Sequence, residues 1–194
     1  MEKLIGNNKI LCAVFISGKG TNLKSIYSYS KKKSSKINIR LVLSNKHNVG
    51  GIKFAIKKKI KNKVIIYKNK NKAEKLILKI LKKYKIELIC LAGFMKILSK
   101  KFIKNFKGKI INIHPSLLPK YKGLNTHERV IQNKEKYSGC TIHFVNEKLD
   151  SGKTIIQKKV KVFRSDTAKR LAKRILIEEN KLYPKAINKI LFTI

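Results

Sequence analysis

Short apolar runs alternate with longer amphipathic stretches along the chain, and this alternation limits the possible folds more than any other feature. Strands that are buried on both faces read as nearly continuous Val, Ile and Leu, and the helices between them cover the sheet. The predicted strands are Ile10–Ile16, Ile37–Leu43, Val64–Tyr67, Leu88–Leu91, Lys109–Ile113, Thr141–Val145 and Thr154–Lys159. The pattern therefore predicts an α/β protein with a mostly parallel sheet.

Four amphipathic stretches fill the intervals between these strands. The predicted helices are Asn22–Ser30, Gly51–Lys59, Ala73–Tyr84 and Thr167–Ile190. Ser165-Asp166 is a typical cap for the last of them, in which Leu171 and Ile175 begin an apolar series at helical spacing. No linker, repeat or low-complexity segment divides the 194 residues. We therefore expect one doubly wound, Rossmann-like domain over residues 1–194.

The chain is strongly basic, with 48 Lys and Arg against 10 Asp and Glu and a formal net charge of +38. Such a charge is typical of proteins that bind nucleic acid or anionic membranes. However, only five of the 48 are Arg, the residue that binds phosphate and guanine bidentately. The many Lys, Ile and Asn residues share A/T-rich codons, which indicates compositional drift. We expect no specific nucleic-acid partner, and we keep a basic nucleic-acid-binding module as the alternative function.

The three cysteines, Cys12, Cys90 and Cys140, are odd in number and widely spaced. This spacing fits neither a disulfide framework nor a zinc site, so we expect a reducing compartment and no metal. Cys12 and Cys90 lie in apolar runs and are predicted to be buried. No apolar run is long enough for a signal peptide or a membrane span. The expected location is the cytoplasm, without membrane association.

Asn112 and His114 follow the apolar pair Ile110-Ile111, and Asp150 comes 36 residues after His114. Residues two apart on a strand project from the same face, so the amide and the imidazole can reach one oxygen. An amide, an imidazole and a carboxylate together can stabilise a tetrahedral oxyanion, which indicates acyl transfer. Taken alone, the same residues could be a structural Asn and His with an Asp that caps a turn.

Two further segments follow predicted strands, where open α/β sheets bind ligands. The segment 17–22, Ser-Gly-Lys-Gly-Thr-Asn, opens the first helix and favours a phosphate. It contains no Gly-Lys-Ser/Thr of a Walker loop, and Leu23 replaces the third glycine of a dinucleotide fingerprint, so a monophosphate fits better than a pyrophosphate. The segment 95–98, Met-Lys-Ile-Leu, could be ordinary core or an apolar pocket wall.

The motif at 112–121, Asn-Ile-His-Pro-Ser-Leu-Leu-Pro-Lys-Tyr, resembles the active-site motif of the folate-dependent phosphoribosylglycinamide formyltransferases. The segments 16–23, 91–98 and 141–150 resemble the same family in the same order. The resemblance extends from about Cys12 to Pro184. It implies transfer of a formyl group from the co-substrate 10-formyltetrahydrofolate to the amine of 5′-phosphoribosylglycinamide, in de novo purine biosynthesis.

The resemblance also assigns residues to this reaction. Asn112, His114 and Asp150 would be catalytic, and Asn112 would also contact the folate. The ribonucleotide would be bound by Gly20, Thr21, Asn22 and Glu179, and the folate by Met95, Lys96, Ile97, Leu98 and Lys70. Lys70 departs from the family, which usually has Arg there. Asp150 would favour the imidazolium form of His114.

Other expectations concern relatives, assembly and local geometry. Methionyl-tRNA formyltransferase and formyltetrahydrofolate deformylase share the chemistry, but each carries an additional domain for which 194 residues leave no room. The partners would be small-molecule substrates, and the protein a monomer or a weak homodimer. His143 could be a hydrogen-bond partner behind the catalytic residues or a satisfied core histidine. A cis peptide is predicted at Leu118-Pro119 as a turn device.

Overall fold

The computed structural model describes residues 9–191, within which seven strands and six helices alternate. The strands are β1 Ile10–Ile16, β2 Ile37–Ser44, β3 Asn62–Val64, β4 Leu88–Leu91, β5 Lys109–His114, β6 Tyr137–Phe144 and β7 Thr154–Lys161. The helices are α1 Thr21–Ser30, α2 Gly50–Lys57, α3 Lys70–Lys83, α4 Lys100–Asn105, α5 Thr126–Gln132 and α6 Ala168–Leu191. The predicted boundaries at residues 1 and 194 lie outside the described residues.

The seven strands form one sheet in the order β3-β2-β1-β4-β5-β6-β7. The pairs from β3 to β5 are parallel, and β6 and β7 add antiparallel strands at one edge. The strand order reverses between β1 and β4, which places a ligand-binding crevice at their carboxyl ends. There the Ser17 amide donates to the Gly93 carbonyl at 3.0 Å, so the loops after β1 and β4 are joined.

Hydrophobic layers on both faces of the sheet confirm the doubly wound prediction. Along β1, Val14 contributes to a core layer with α1 and α6, and the next residue, Phe15, contributes to a layer with α3 and α4. Leu171 and Ile175 of α6 are fully buried, as their helical spacing predicted. Burial of each such side chain stabilises the fold by roughly 1.5–3 kcal/mol.

Some element boundaries differ from the predicted ones, and the differences have tertiary causes. β3 was predicted at Val64–Tyr67, but it pairs with β2 only over Asn62–Val64. The Tyr67 ring packs edge-on against Phe94, 5.8 Å between centroids, so apolar residues after Val64 belong to the core without being in the ladder. β6 begins at Tyr137, four residues earlier than predicted, because its pairing with β7 extends beyond β5.

The start of α6 and two short helices also depart from expectation. Thr167 caps α6 by accepting from the Arg170 amide at 3.2 Å, whereas the predicted cap residue Asp166 pairs with Arg174. The helices α4 and α5, of six and seven residues, were not predicted. Each is too short to show two turns of apolar periodicity.

Three local predictions can be compared directly with the structure. Cys12 and Cys90 are fully buried, with 3.5 Å between their sulfur atoms, as expected for small apolar residues. The Leu118-Pro119 peptide is cis, as predicted. Over residues 9–191, none of the helices combines the length and apolar character that a membrane crossing requires.

Candidate active site

The strands β5 and β6 bring a second histidine next to the predicted catalytic pair. In their antiparallel register Asn112 lies opposite His143, and His114 lies opposite Thr141. The Asn112 amide nitrogen Nδ2 is 3.3 Å from Nε2 of His143. The pairing therefore places the two imidazoles and the amide on neighbouring positions of one sheet surface.

Asp150 lies in the turn that follows β6, and its carboxylate lies between the two imidazoles. Oδ2 is 3.4 Å from Nδ1 of His114, and Oδ1 is 3.6 Å from Nε2 of His143. The Gly123 amide donates to Oδ2 at 2.9 Å. Asp150 has a left-handed backbone, φ +44°, which Asp adopts more readily than most residues. The sequence-predicted residues Asn112, His114 and Asp150 are thus brought together.

One nitrogen of each imidazole faces a backbone carbonyl and therefore carries a proton. Nε2 of His114 is 2.8 Å from the Tyr121 carbonyl oxygen, and Nδ1 of His143 is 2.9 Å from that of Phe144. A carbonyl oxygen only accepts, so these two nitrogens are the donors. Nδ1 of His114 faces the Asp150 carboxylate, which when ionised also only accepts, so both nitrogens of His114 face acceptors. Nε2 of His143 is 3.3 Å from Nδ2 of Asn112 and 3.6 Å from Oδ1 of Asp150.

Burial and charge compete over the protonation of the site. Burial, His143 and Arg129 lower the pKa of His114 by more than the Tyr121 carbonyl and Asp150 raise it. Burial raises the pKa of Asp150, but His143, the Gly123 amide and His114 lower it by more, so the carboxylate is ionised at neutral pH. Asp150 does favour the His114 imidazolium, as expected. In the free protein desolvation outweighs this effect of Asp150, and the imidazolium expected during the reaction stays a prediction.

These residues line a cavity of about 440 Å³ at the carboxyl edge of the sheet. Its walls contain all four residues of the predicted folate segment, Met95, Lys96, Ile97 and Leu98, together with Asn112, His114 and Asp150. At the rim, Met95 and Ile97 are each 64% exposed and Leu124 is 75% exposed. Large apolar side chains left open to solvent beside convergent polar groups are typical of a pocket for a flat heterocycle.

The loop between β1 and α1 makes a tight turn into the first helix. Gly20 has φ +73°, and a Cβ there would lie 2.7 Å from the Gly51 backbone, so a larger residue does not fit. This turn leaves the first amides of α1 without a side-chain cap. Asn22 donates from Nδ2 to Glu179 at 2.9 Å, and its buried Oδ1 has no hydrogen-bond partner among residues 9–191.

Some predicted site residues do not line this cavity. Its walls do not include Gly20, Thr21, Asn22 or Glu179. The hydroxyl of Ser17, in the loop that contains Gly20, accepts from the Met95 amide of the cavity wall at 2.8 Å. Lys70 is the first residue of α3, is exposed, and does not belong to the cavity wall. Its predicted contact with the folate tail stays a prediction.

Several groups in the site could not be named from the sequence. The Tyr121 carbonyl and the Gly123 amide belong to the backbone, which carries no residue-specific signal. Thr141 donates to the Ser116 carbonyl at 2.6 Å and holds the loop after β5. The sequence could have indicated this residue, because its spacing of two from His143 places both side chains on one face of the strand. Within residues 9–191, no group of three or more His, Cys, Asp or Glu side chains is placed to hold a metal ion.

Relatives are similar in sequence to most of this chain. The chain is 41% identical over 178 residues to the phosphoribosylglycinamide formyltransferase of Haemophilus influenzae. This match covers 90% of this chain and 84% of the relative. It is 42% identical over 186 residues to the trifunctional purine biosynthetic protein adenosine-3 of Gallus gallus. That match covers 94% of this chain but only 18% of the relative, so the chain spans less than a fifth of the trifunctional protein.

Solved structures agree with these sequence relatives. The phosphoribosylglycinamide formyltransferase of Brucella melitensis superposes with a TM-score of 0.88 at 38% identity, covering 94% of this chain and 95% of that one. The enzyme of the same name from Anaplasma phagocytophilum gives 0.86 at 40% identity, covering 92% and 84%. A model of the formyl transferase family matches residues 10–187. The chain belongs to the formyl transferase family.

Proposed function

We propose that this protein transfers the formyl group of 10-formyltetrahydrofolate to the amine of 5′-phosphoribosylglycinamide. The products are N-formylglycinamide ribonucleotide and tetrahydrofolate, and the reaction belongs to de novo purine biosynthesis. The observation that carries the proposal is the convergence of Asn112, His114 and Asp150 on one cavity that adjoins the Gly20 loop. The relatives named for this activity support the same substrates.

The cavity suits the folate co-substrate. Phe94, Met95, Ile97 and Leu98 supply apolar contact area, and the backbone of the same segment supplies donors and acceptors for the edge of a pterin. Asn112 lies in the same wall, next to the carbon that would react. The proposal keeps the predicted contact between Lys70 and the glutamate tail of the folate. This contact requires the bound folate to extend beyond the cavity.

The ribonucleotide would lie on the other side of Ser17. The amides of Gly20, Thr21 and Asn22 begin α1, where the helix dipole and free N–H groups favour a phosphate. Glu179 would accept from the ribose hydroxyls, and the unpartnered Oδ1 of Asn22 offers a further acceptor. The amine would then extend past Ser17 towards His114.

The chemistry requires one proton to move between two nitrogens. The amine attacks the formyl carbon, the new C–N bond forms, and the carbonyl oxygen becomes an oxyanion that accepts from the Asn112 amide. The His114 imidazolium, which Asp150 favours, stabilises the oxyanion together with Asn112. Water held by Asp150 takes the proton from the attacking nitrogen and gives a proton to the departing folate nitrogen. The oxyanion reforms the carbonyl as the old C–N bond breaks.

The decisive experiment follows folate absorbance in the ultraviolet with and without phosphoribosylglycinamide. We expect conversion of 10-formyltetrahydrofolate to tetrahydrofolate only when the acceptor is present, with one formylated product for each folate consumed. Equal conversion without the acceptor would identify a deformylase, and no conversion in either case would refute the formyl transfer. Binding to random DNA that persists at high salt without any turnover would favour the nucleic-acid module.

The proposal also includes the type of partner, the location and the assembly of the protein. Both proposed substrates are anionic small molecules, which the +38 net charge attracts. We propose a cytoplasmic location and a monomer or weak homodimer. Light scattering across a concentration series measures the assembly directly.

A further inference from the structure

A proline lies inside the last helix of the fold. α6 extends over Ala168–Leu191 and includes Pro184. In a regular α-helix, the N–H of residue 184 would donate to the carbonyl of Asn180, four positions earlier. Proline has no N–H, and in a straight helix its ring clashes with that carbonyl. The Asn180 carbonyl therefore lacks its regular helical donor.

The first helix supplies a donor for this carbonyl. The hydroxyl of Ser25 in α1 donates a hydrogen bond to the Asn180 carbonyl oxygen, across 155 positions of the sequence. The contact is partly buried, and a carbonyl that is shielded from water without a donor destabilises a fold. Ser25 thus replaces, from outside the helix, the hydrogen bond that Pro184 cannot make.

The contact of Ser25 lies next to the pair formed by Asn22 and Glu179. Asn22 and Ser25 are three positions apart, which places them on one face of α1. Their acceptors, Glu179 and Asn180, are consecutive residues of α6. α1 is therefore attached to α6 at two neighbouring points, directly after the Gly20 loop.

The two attachments differ in what they fix. The bond between Asn22 and Glu179, 2.9 Å long, joins two side chains, each of which can change its rotamer. The Asn180 carbonyl belongs to the backbone of α6 and cannot rotate on its own, and the Ser25 oxygen is placed by a single torsion. The Ser25 bond therefore sets the distance between the two helices, and Asn22 and Glu179 adopt the rotamers that this distance permits.

We propose that Ser25 is a positioning residue, which uses the carbonyl that Pro184 leaves free to hold Asn22 and Glu179 in the geometry that binds the ribonucleotide. Glu179 is buried, and Oδ1 of Asn22 has no hydrogen-bond partner within residues 9–191. Both acceptors are then directed before the substrate arrives, which reduces the entropy lost on binding. The role of the pair in substrate binding rests on the proposed function, whereas the attachment of α1 to α6 does not.

Steady-state kinetics of Ser25→Ala test this role. We expect KM for phosphoribosylglycinamide to rise about three- to tenfold, because the acceptors are less well directed. KM for the folate and kcat should stay within about twofold, since Ser25 does not belong to the wall of the folate cavity. Ser25→Thr keeps a hydroxyl at the same position and should restore the KM for the ribonucleotide. General destabilisation would instead change both KM values or kcat.

Pro184→Ala tests the origin of the free carbonyl. Alanine supplies an N–H that can donate to the Asn180 carbonyl within α6, so the bond from Ser25 becomes weaker. We expect KM for the ribonucleotide to rise in the same direction as in Ser25→Ala. In the double variant the second substitution should add little, because both changes weaken one contact. Two effects that multiply in full would show that Pro184 and Ser25 act independently, which contradicts the inference.

Proton NMR of the Asn22 side chain provides a readout that requires no turnover. In the unaltered protein the two amide protons should have well separated shifts, because the amide donates to the Glu179 carboxylate. In Ser25→Ala these shifts should converge, and in Ser25→Thr they should remain apart. The Asn22→Ser variant identifies the signals by their loss. If the unaltered protein shows no acceptor-dependent turnover, the proposed function fails, while this comparison still decides whether Ser25 positions Asn22.

Ser30→Ala is the matched control. The Ser30 hydroxyl also donates to a backbone carbonyl, that of Tyr27 at 2.7 Å, but both residues belong to α1. Its removal should leave both KM values and the Asn22 signals unchanged. Equal effects of Ser30→Ala and Ser25→Ala would show that any lost hydroxyl in α1 is sufficient, and the specific role of Ser25 would be refuted.

The remaining outcomes are also distinct. If Ser25→Ala does not fold, as shown by the loss of dispersed NMR signals, Pro184→Ala decides the question, because it retains every hydrogen-bonding side chain. In the folded Ser25→Ala protein, an unchanged KM for the ribonucleotide in an active enzyme would overturn the inference. Unchanged Asn22 shifts in that protein would overturn it as well.

Discussion

The amide of Asn22 donates a hydrogen bond to the carboxylate of Glu179 at 2.9 Å, although 157 residues separate them in the chain. The contact joins the first turn of α1 to the middle of α6 and lies beside the Gly20 loop. Glu179 is only 8% exposed. Burial raises the pKa of its carboxyl by more than the Asn22 hydrogen bond lowers it. A polar pair this costly to bury is expected to serve ligand binding.

Glu179→Gln should weaken binding of the ribonucleotide without affecting the folate. A hydrogen bond to a charged acceptor contributes about 1.5–3 kcal/mol, so we expect KM for phosphoribosylglycinamide to increase about tenfold or more. KM for the folate should stay within about twofold. Steady-state kinetics with each substrate varied in turn measure both values. Equal increases in the two KM values would count against a ribose site at Glu179.

Asp150→Asn should lower kcat by about two to four orders of magnitude with little change in either KM. The amide preserves the shape of the side chain but removes the charge that stabilises the His114 imidazolium and holds the water. Asp166→Asn is the control, because Asp166 is the other aspartate of the chain and pairs with Arg174 on the α6 side. Near-normal turnover in Asp150→Asn would remove Asp150 from the mechanism.

Glu74→Gln should make the segment 95–98, which we assign to folate binding, less rigidly held. The buried carboxylate of Glu74 accepts from the Ser99 amide at 2.9 Å and also from the Ser99 hydroxyl, and Ser99 caps α4 directly after the segment 95–98. We expect a loss of about 1–3 kcal/mol in the free energy of unfolding and a several-fold higher KM for the folate only. Urea unfolding and steady-state kinetics measure these effects.

The control for this prediction is Glu87→Gln. Glu87 also accepts from a backbone amide, that of Leu11 at 2.8 Å, but it precedes β4 at the opposite edge of the sheet. It should leave the KM for the folate unchanged. A similar increase in both variants would show that the effect is general destabilisation.

Stability should decrease as the pH falls below about 6.5. Burial lowers the pKa values of His114 and His127 from 6.5, so the folded state binds fewer protons than the unfolded state. The free energy of unfolding that depends on these two histidines being neutral is fully present above pH 6.5. It is lost as the pH falls from 6.5 through their pKa values in the folded protein. The pKa of Asp150 is lowered from 3.8, so its contribution is lost only at still lower pH.

Thermal unfolding between pH 8 and pH 5 at constant ionic strength measures this dependence. We expect Tm to decline below pH 6.5 in the unaltered protein and to decline less in the His114→Gln/His127→Gln double variant. An equal decline in both proteins would show that other groups control the pH dependence.

Added salt should stabilise the protein. The net charge is +38, and the sequence from residue 3 to residue 73 contains no Asp or Glu. Salt screens repulsion beyond about 10 Å at 0.1 M, so Tm should rise between about 20 and 300 mM NaCl. KCl should act equally at the same ionic strength, and an uncharged osmolyte should not reproduce this dependence. A constant or falling Tm would show that the positive charges do not destabilise the fold.

The sequence alone determined the elements that are buried on both faces and the order of the ligand-binding loops. β1 and β4 have the predicted bounds, because their side chains are apolar whichever face they occupy. The two-residue spacing of Asn112 and His114 placed them on one strand surface, and the family motif added Asp150. These properties depend on local periodicity and residue identity, which a sequence states directly.

Only the tertiary structure decided how these groups act. The antiparallel register of β6 places His143 between Asn112 and Asp150, and no local pattern specifies that register. The Tyr121 carbonyl contacts Nε2 of His114 through a backbone atom, which every residue possesses. The pKa of His114 results from burial opposed by the Tyr121 carbonyl and by Asp150. The contact and the pKa both depend on how the folded chain arranges these groups.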